Sequence, residues 1–267
     1  MVQKTITALV LTLNVCLSQF ANQSPASTIT RDPRYPSHWW TPVSEAGKPD
    51  WEILPQEAGP GEVILSKRNE LGLLSNFAAT PFTYRGKRYA SLEGFWQMML
   101  YPDGPNDPRA KFPGIEWKYT RAAVAQMTAF EAKSAGTLAE ENMTRMGITW
   151  VTFEGKRFTY RSADPGRHYQ LIVAATWAKV RQNPQVKKVL LATVDLILRP
   201  DHHGEANAPP EWRYYEIWMA IRKTLLHRGK ATPHVRRQNR YQNFLSSDFA
   251  VTHSKVLQTK PNGDRLT

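Results

Sequence analysis

Cysteine is nearly absent from this chain: Cys16 stands alone among 267 residues. A single thiol closes no intramolecular disulfide and builds no multi-cysteine zinc site. It also lies in an N-terminal segment that reads as an export signal, so the mature chain is expected to carry no thiol nucleophile. The glycine-rich fingerprints are missing too. There is no G-x-G-x-x-G and no G-K-[ST], since Gly86-Lys87 is followed by Arg88, and this excludes a Rossmann fingerprint and a P-loop. No G-x-S-x-G elbow marks a serine hydrolase. The apolar run Thr5 to Leu17 falls short of the roughly 20 residues a membrane-spanning helix needs. Acid is scarce as well: 23 Asp and Glu face 35 Lys and Arg, a formal charge of +12. Such a balance favours anionic partners, whether phosphorylated small molecules, nucleotides or nucleic acid.

Aromatic side chains are plentiful. Nine Trp, ten Tyr and ten Phe are ample for the core of one domain with extensions. Residues 1–21 form the expected signal peptide, in which Lys4 precedes the apolar run, and the mature chain is expected to start between Leu17 and Ser27. The rival reading of this segment is a buried N-terminal strand. Export would place the protein outside the cytosol, secreted or periplasmic, without disulfides or a membrane span. Residues 22–61 read as a linker followed by an extended arm, and Trp39, Trp40 and Trp51 argue that the arm packs across the domain surface. Residues 62–228 hold the domain, and 229–267 a basic tail with Lys230, Arg236, Arg237 and Arg240.

Periodicity within the domain predicts a strand over Glu62 to Ser66 and helices over Arg121 to Ala135 and Leu138 to Met146, separated by Gly136. A hairpin over Thr149 to Tyr160 follows. Three more helices run over His168 to Arg181, from Pro184 to near Ala192, and over Tyr214 to Leu226. The fold class expected is α+β: a single compact, mainly helical domain with a small antiparallel sheet.

The densest stretch is Leu71 to Tyr101, LGLLSNFAATPFTYRGKRYASLEGFWQMMLY. A Ser75-Asn76-Phe77 step leads to a short hairpin turning at Gly86-Lys87, and then to a helix that Ser91 can cap. Leu92, Phe95, Trp96 and Met99 form its apolar stripe, with Glu93 and Gln97, four residues apart, aligned at the stripe's edge. The bland alternative is an exposed polar pair on an ordinary helix.

S-N-F, P-F and G-K-x-Y-x-S-x-E-x-x-x-Q together resemble the opening motif of the NADAR family, the YbiA-like N-glycosidases linked to NAD and ADP-ribose. Weaker likeness continues through EAKSAG (Ala132, Lys133, Gly136), Trp150, NPQVKKVLLAT, DHHG at Asp201 to Gly204, and MAIR at Met219 to Arg222, covering roughly Glu62 to Leu226. Three positions depart from the family pattern: Leu100 stands where the family usually has Lys, His203 where it has Trp, and Tyr215 replaces part of Asn-x-Leu-Gly.

The resemblance implies a YbiA-like fold and N-glycosidase chemistry without a cofactor, in which Glu93 and Asp201 are the catalytic carboxylates. It also implies that Trp150 lines the site and that Arg222 is the family's terminal arginine. Cleaving an N-glycosidic bond passes through an oxocarbenium-like state, which one carboxylate stabilises while another activates water or protonates the leaving group. Further substrate contacts are expected from Asn76, Phe77, Gln97 and His203, and phosphate contacts from Lys67, Arg68, Arg85 and Lys87. Without the resemblance Trp150, on a hairpin strand, reads as core, while Asp201 reads equally as a turn cap and Arg222 as a salt-bridge partner. His202 beside His203 invites a metal reading, but adjacent histidines rarely face one ion, and no metal is expected. The substrates implied are an ADP-ribose or NAD-like conjugate, including ADP-ribosylated guanine, or a phosphoribosylamino-pyrimidine intermediate of riboflavin synthesis. A non-catalytic module binding ADP-ribose or, through the basic tail, nucleic acid is the competing class.

Overall fold

Among the described residues, three separate strand pairs, rather than one continuous sheet, brace the helices. The computed structural model describes residues 32–204 and 207–230, with no side-chain account at 229 and 230. The expected signal segment and most of the basic tail lie outside the described residues. β1 (Glu62–Ile64) pairs in parallel with β6 (Ile197–Arg199). β2 (Phe82–Tyr84) and β3 (Lys87–Tyr89) form one antiparallel hairpin, and β4 (Trp150–Phe153) and β5 (Lys156–Thr159) another. The helices are α1 (Leu92–Met98), α2 (Arg121–Val124), α3 (Ala129–Met146), α4 (Arg167–Gln182), α5 (Pro184–Ala192) and α6 (Tyr214–Lys230). The class is α+β and mainly helical. No described helix is long and apolar enough to cross a membrane.

α1 sits at the centre, against α2, α3 and α4, with all seven of its residues buried. Ser91 fixes its start: the hydroxyl accepts from the Gly94 amide at 2.9 Å and donates to the Met127 carbonyl at 2.9 Å. Such a cap contributes about 1 kcal/mol. Gly94 is required by close approach, because a Cβ there would lie 2.5 Å from the Met127 carbonyl oxygen.

Gly136 does not stop a helix, contrary to the sequence expectation. It lies inside α3, and the chain breaks earlier, between Val124 and Ala129, where Ala129 takes φ +49°. The glycine serves packing: a Cβ at 136 would fall 1.8 Å from Gln97 Oε1 on α1. β6 has no counterpart among the predicted elements. Leu198 is buried between exposed Ile197 and Arg199, and a three-residue strand with one inward side chain offers no alternation to read.

The arm crosses the domain through short 3-10 turns and buries Trp39 and Trp40, whose indole nitrogens donate to Glu70 Oε1 at 2.6 Å and the Glu62 carbonyl at 2.8 Å. Farther along, residues 51–53 pair with 201–203. The Ile53 amide donates to the Asp201 carbonyl at 2.9 Å and the His203 amide to the Trp51 carbonyl at 3.2 Å, around a Glu52–His202 bridge.

Candidate active site

Two chain segments leave the same end of the parallel pair. β1 runs on to Lys67 and β6 to Asp201, and the Leu65 amide still donates to the Arg199 carbonyl at 2.9 Å before they diverge. The carboxyl ends of parallel strands are where open α/β folds bind ligands, since the diverging loops leave a crevice there. Here the crevice is a cleft of about 400 Å³, closed on its other wall by α1 and α3.

Glu93 and Gln97 line the α1 wall, and Gln97 Nε2 donates to Glu93 Oε1 at 2.7 Å. Both residues are buried. Burial pushes the Glu93 carboxyl above its ordinary range, against smaller opposing effects of the Gln97 hydrogen bond and the Lys133 charge. The S-N-F turn lies alongside. Its Asn76 carbonyl accepts from the Glu93 amide at 2.9 Å, and its Phe77 carbonyl accepts from Ala129 at 3.2 Å. Two buried side chains hold the turn from beneath: Lys179 donates to the Ser75 carbonyl at 2.8 Å and Trp218 to the Leu74 carbonyl at 2.6 Å. Burial brings the Lys179 ammonium down to about 7.

Asp201 occupies the opposite wall, its side chain almost fully buried and paired with Lys67 and with His202 Nδ1 at 3.2 Å. Burial would raise its carboxyl, yet the hydrogen bonds and positive charge of His202 and Lys67 hold it below the ordinary aspartate value. His202 is stacked nearly parallel on Tyr214, 6.1 Å between centroids. The inner end of the cleft holds Trp96, Tyr160 and Trp212, with the Trp96 indole donating to the Tyr160 hydroxyl at 3.0 Å.

The expected residues therefore divide. Glu93, Asp201, Asn76, Phe77, Gln97 and His203 all line this cleft. Lys87 instead borders a separate pocket formed with Arg85 and Arg121, because the β2–β3 turn points away from the cleft. Arg68 is turned to Glu52, with nitrogen–oxygen distances of 2.8 and 2.6 Å, where it stiffens the arm's clamp. Trp150 is covered by guanidinium groups, Arg157 at 3.7 Å and Arg109 at 5.1 Å from its ring centroid, and does not border the cleft. Among the described residues Arg222 makes no salt bridge; it donates to the Thr193 hydroxyl at 2.7 Å and to the Thr193 and Leu196 carbonyls at 3.3 and 2.8 Å, tying α6 to the turn before β6. Leu100, the family's lysine position, is fully buried.

Sequence reasoning missed Trp51, Phe130 and Trp212. Phe130 falls within the helix expected over Arg121 to Ala135, yet it is 57% exposed. Trp96 carried a signal that was read as core alone; it is core and cleft wall at once. Lys133 lay inside the quoted EAKSAG motif, and its α3 position brings it to the cleft beside Gln97.

No protein-family model matches this sequence, and a search of curated proteins finds no match. Among solved structures the chain is similar to the NMR structure of the E. coli protein YbiA, with 19% identity and a TM-score of 0.40 over 65% of this chain and 91% of that one.

Proposed function

We propose that the cleft hydrolyses the N-glycosidic bond of a ribosylated, phosphate-bearing substrate. The observation that carries this reading is the opposed setting of two carboxylates in one cleft: burial keeps Glu93 protonated to higher pH, while Lys67 and His202 keep Asp201 ionised to lower pH. Environments that push two carboxyl groups apart in this way assign one as acid and the other as anion.

Glu93 then donates its proton to the departing base nitrogen as the C1′–N bond breaks. Ionised Asp201 stabilises the positive charge that grows on the ribosyl carbon and takes the proton of the water that forms the new C1′–O bond. Lys67 and Lys133, both on the cleft wall, supply positive charge for phosphate. The motif resemblance in Leu71 to Tyr101 supports the same chemistry, and nothing in the scheme calls for a cofactor. An ADP-ribose or NAD-like conjugate, including ADP-ribosylated guanine, is the preferred substrate class, because an exported protein would not meet a cytosolic riboflavin intermediate.

The test is to incubate the protein with NAD, an ADP-ribosylated guanine nucleotide and the phosphoribosylamino-pyrimidine, and to follow the released base or nucleotide and the ribosyl product by chromatography. Release of nicotinamide from NAD, or of ADP-ribose and the unmodified guanine nucleotide from the conjugate, is expected. Binding of these compounds without release of base from any of them would reduce the protein to a binding module.

A further inference from the structure

Two of the few large apolar side chains left exposed, Trp51 at 41% and Phe130 at 57%, stand beside each other at the mouth of the cleft. Their ring centroids are 6.2 Å apart, and Phe77 meets Phe130 edge-on at 5.1 Å. Lys67 Nζ lies 5.7 Å from the Trp51 ring and 5.2 Å from the Phe77 ring.

Three distant segments supply these rings, and backbone hydrogen bonds fix Trp51 and Phe77. The His203 amide holds Trp51 and the Ala129 amide holds Phe77, while Phe130 follows Ala129, whose positive φ sets where α3 begins. A positive φ at a non-glycine residue is disfavoured, so the surroundings must hold that entry in place. Among the described residues no ring contact joins this outer group to the inner Trp96, Tyr160 and His168 rings, which form their own cluster. One cleft thus carries two aromatic groups, one enclosed and one open to solvent.

We infer that Trp51, Phe77 and Phe130 form an outer platform for the distal base of the conjugate, so that the cleft prefers ligands carrying a base beyond the diphosphate over ribose phosphates that lack one. The inference rests on the hydrolase reading and deepens it. A flat ring stacks on exposed aromatic faces whatever its hydrogen-bonding edge, and Lys67 beside the platform supplies charge for the phosphates that tether the ring. The arm takes a direct part, since Trp51 precedes the domain to which the motif resemblance extends.

Titration calorimetry with ADP-ribose and with ribose 5-phosphate tests the platform on the full chain. Wild type should bind ADP-ribose at least tenfold more tightly than ribose 5-phosphate. Trp51→Ala and Phe130→Ala should each lose about tenfold for ADP-ribose, a typical value for one stacked ring, with ribose 5-phosphate unaffected. Trp51→Phe should restore most of the loss. Both side chains are exposed, so thermal midpoints should stay at the wild-type value. Equal affinity of wild type for the two ligands, equal losses on both, or no loss would overturn the platform and leave the hydrolase reading standing. Trp51-dependent ADP-ribose binding without release of base from any conjugate would keep the platform and remove the hydrolysis.

Discussion

The two walls of the cleft present the same functional group in opposite ways. On the α1 wall Glu93 belongs to a capped helix in the middle of the core, and the group that binds it is the neutral Gln97 amide. On the facing wall Asp201 hangs from the end of a three-residue strand and is braced by the arm, with Lys67 and His202 bound to it. Both carboxylates are buried, so burial alone does not set their behaviour. The partner decides: a neutral partner leaves the desolvation cost standing, whereas a cation overrides it. Charge reaches Glu93 only as weaker influences, that of Lys133 first among them, whereas the irregular wall bonds Lys67 and His202 directly to Asp201.

Removing the uncompensated acid is the most direct way to break this contrast. Glu93→Gln should lower base release by about two orders of magnitude or more, the usual contribution of a positioned proton donor. The fold should survive, because a neutral isostere carries no charge to desolvate and can still meet Gln97. The linkage sign follows from the raised carboxyl. Its stabilising protonation is complete below the unfolded value and is lost as pH rises through the folded value, so the variant should lose less stability than wild type on going from mildly acidic to neutral pH. Turnover and urea midpoints, measured over that range, check both halves. A folded variant with wild-type turnover would take Glu93 out of the chemistry.

Gly136 tests how tightly the α1 wall must be built. Glycine to alanine inside a helix ordinarily adds about 1 kcal/mol of stability. Here the new Cβ would sit 1.8 Å from Gln97 Oε1, so the amide has to leave its place. Gly136→Ala should therefore forfeit the helix gain, and a net loss of about 1–3 kcal/mol is expected for overpacking. With Gln97 displaced, turnover should fall about tenfold to a hundredfold. A variant more stable than wild type with full turnover would show that Gln97 does not need to face Glu93.

The α1 wall was legible in the sequence and the facing wall was largely not, for a physical reason. Ser91, Glu93, Gln97 and the apolar stripe sit within nine consecutive residues, and helical spacing orders them without tertiary information. Asp201 was singled out through its motif, but its pairing with Lys67 depends on the β1–β6 ladder, which joins residues more than 130 positions apart and shows no period of its own. Trp51 and Phe130 look like core in a sequence, since exposure is decided by which segments end up over them. Lys87, Arg68, Trp150 and Arg222 have the right chemistry for a nucleotide site, but the direction of the β2–β3 turn takes Lys87 away, guanidinium groups cover Trp150, and tertiary partners hold Arg68 at Glu52 and Arg222 at Thr193. Gly136 was mistaken for a helix stop because a close approach between helices leaves the same mark as a C-terminal cap.

The smallest expected effect comes from stripping Asp201 of its lysine, and it separates the two groups that hold it. Lys67→Met keeps an apolar stem against Trp51 and Phe77 while removing the ammonium. Burial then weighs more heavily, and His202 alone remains to hold the carboxylate ionised, so the Asp201 carboxyl should rise from below the ordinary aspartate value. A depressed carboxyl contributes stability that is complete above its unfolded value and is lost as pH falls through the folded value. The acid limb of turnover at saturating substrate should therefore move to higher pH, and acid unfolding should begin at higher pH as well. Both should move while the alkaline limb, assigned to Glu93, stays where it is. Turnover against pH at saturating substrate, with acid unfolding followed by tryptophan fluorescence, reads the two shifts. An acid limb that does not move would mean that His202 suffices and that Lys67 serves the phosphates alone. Movement of the alkaline limb instead would show that the two carboxylates titrate as one coupled pair, and the contrast between the walls would be lost.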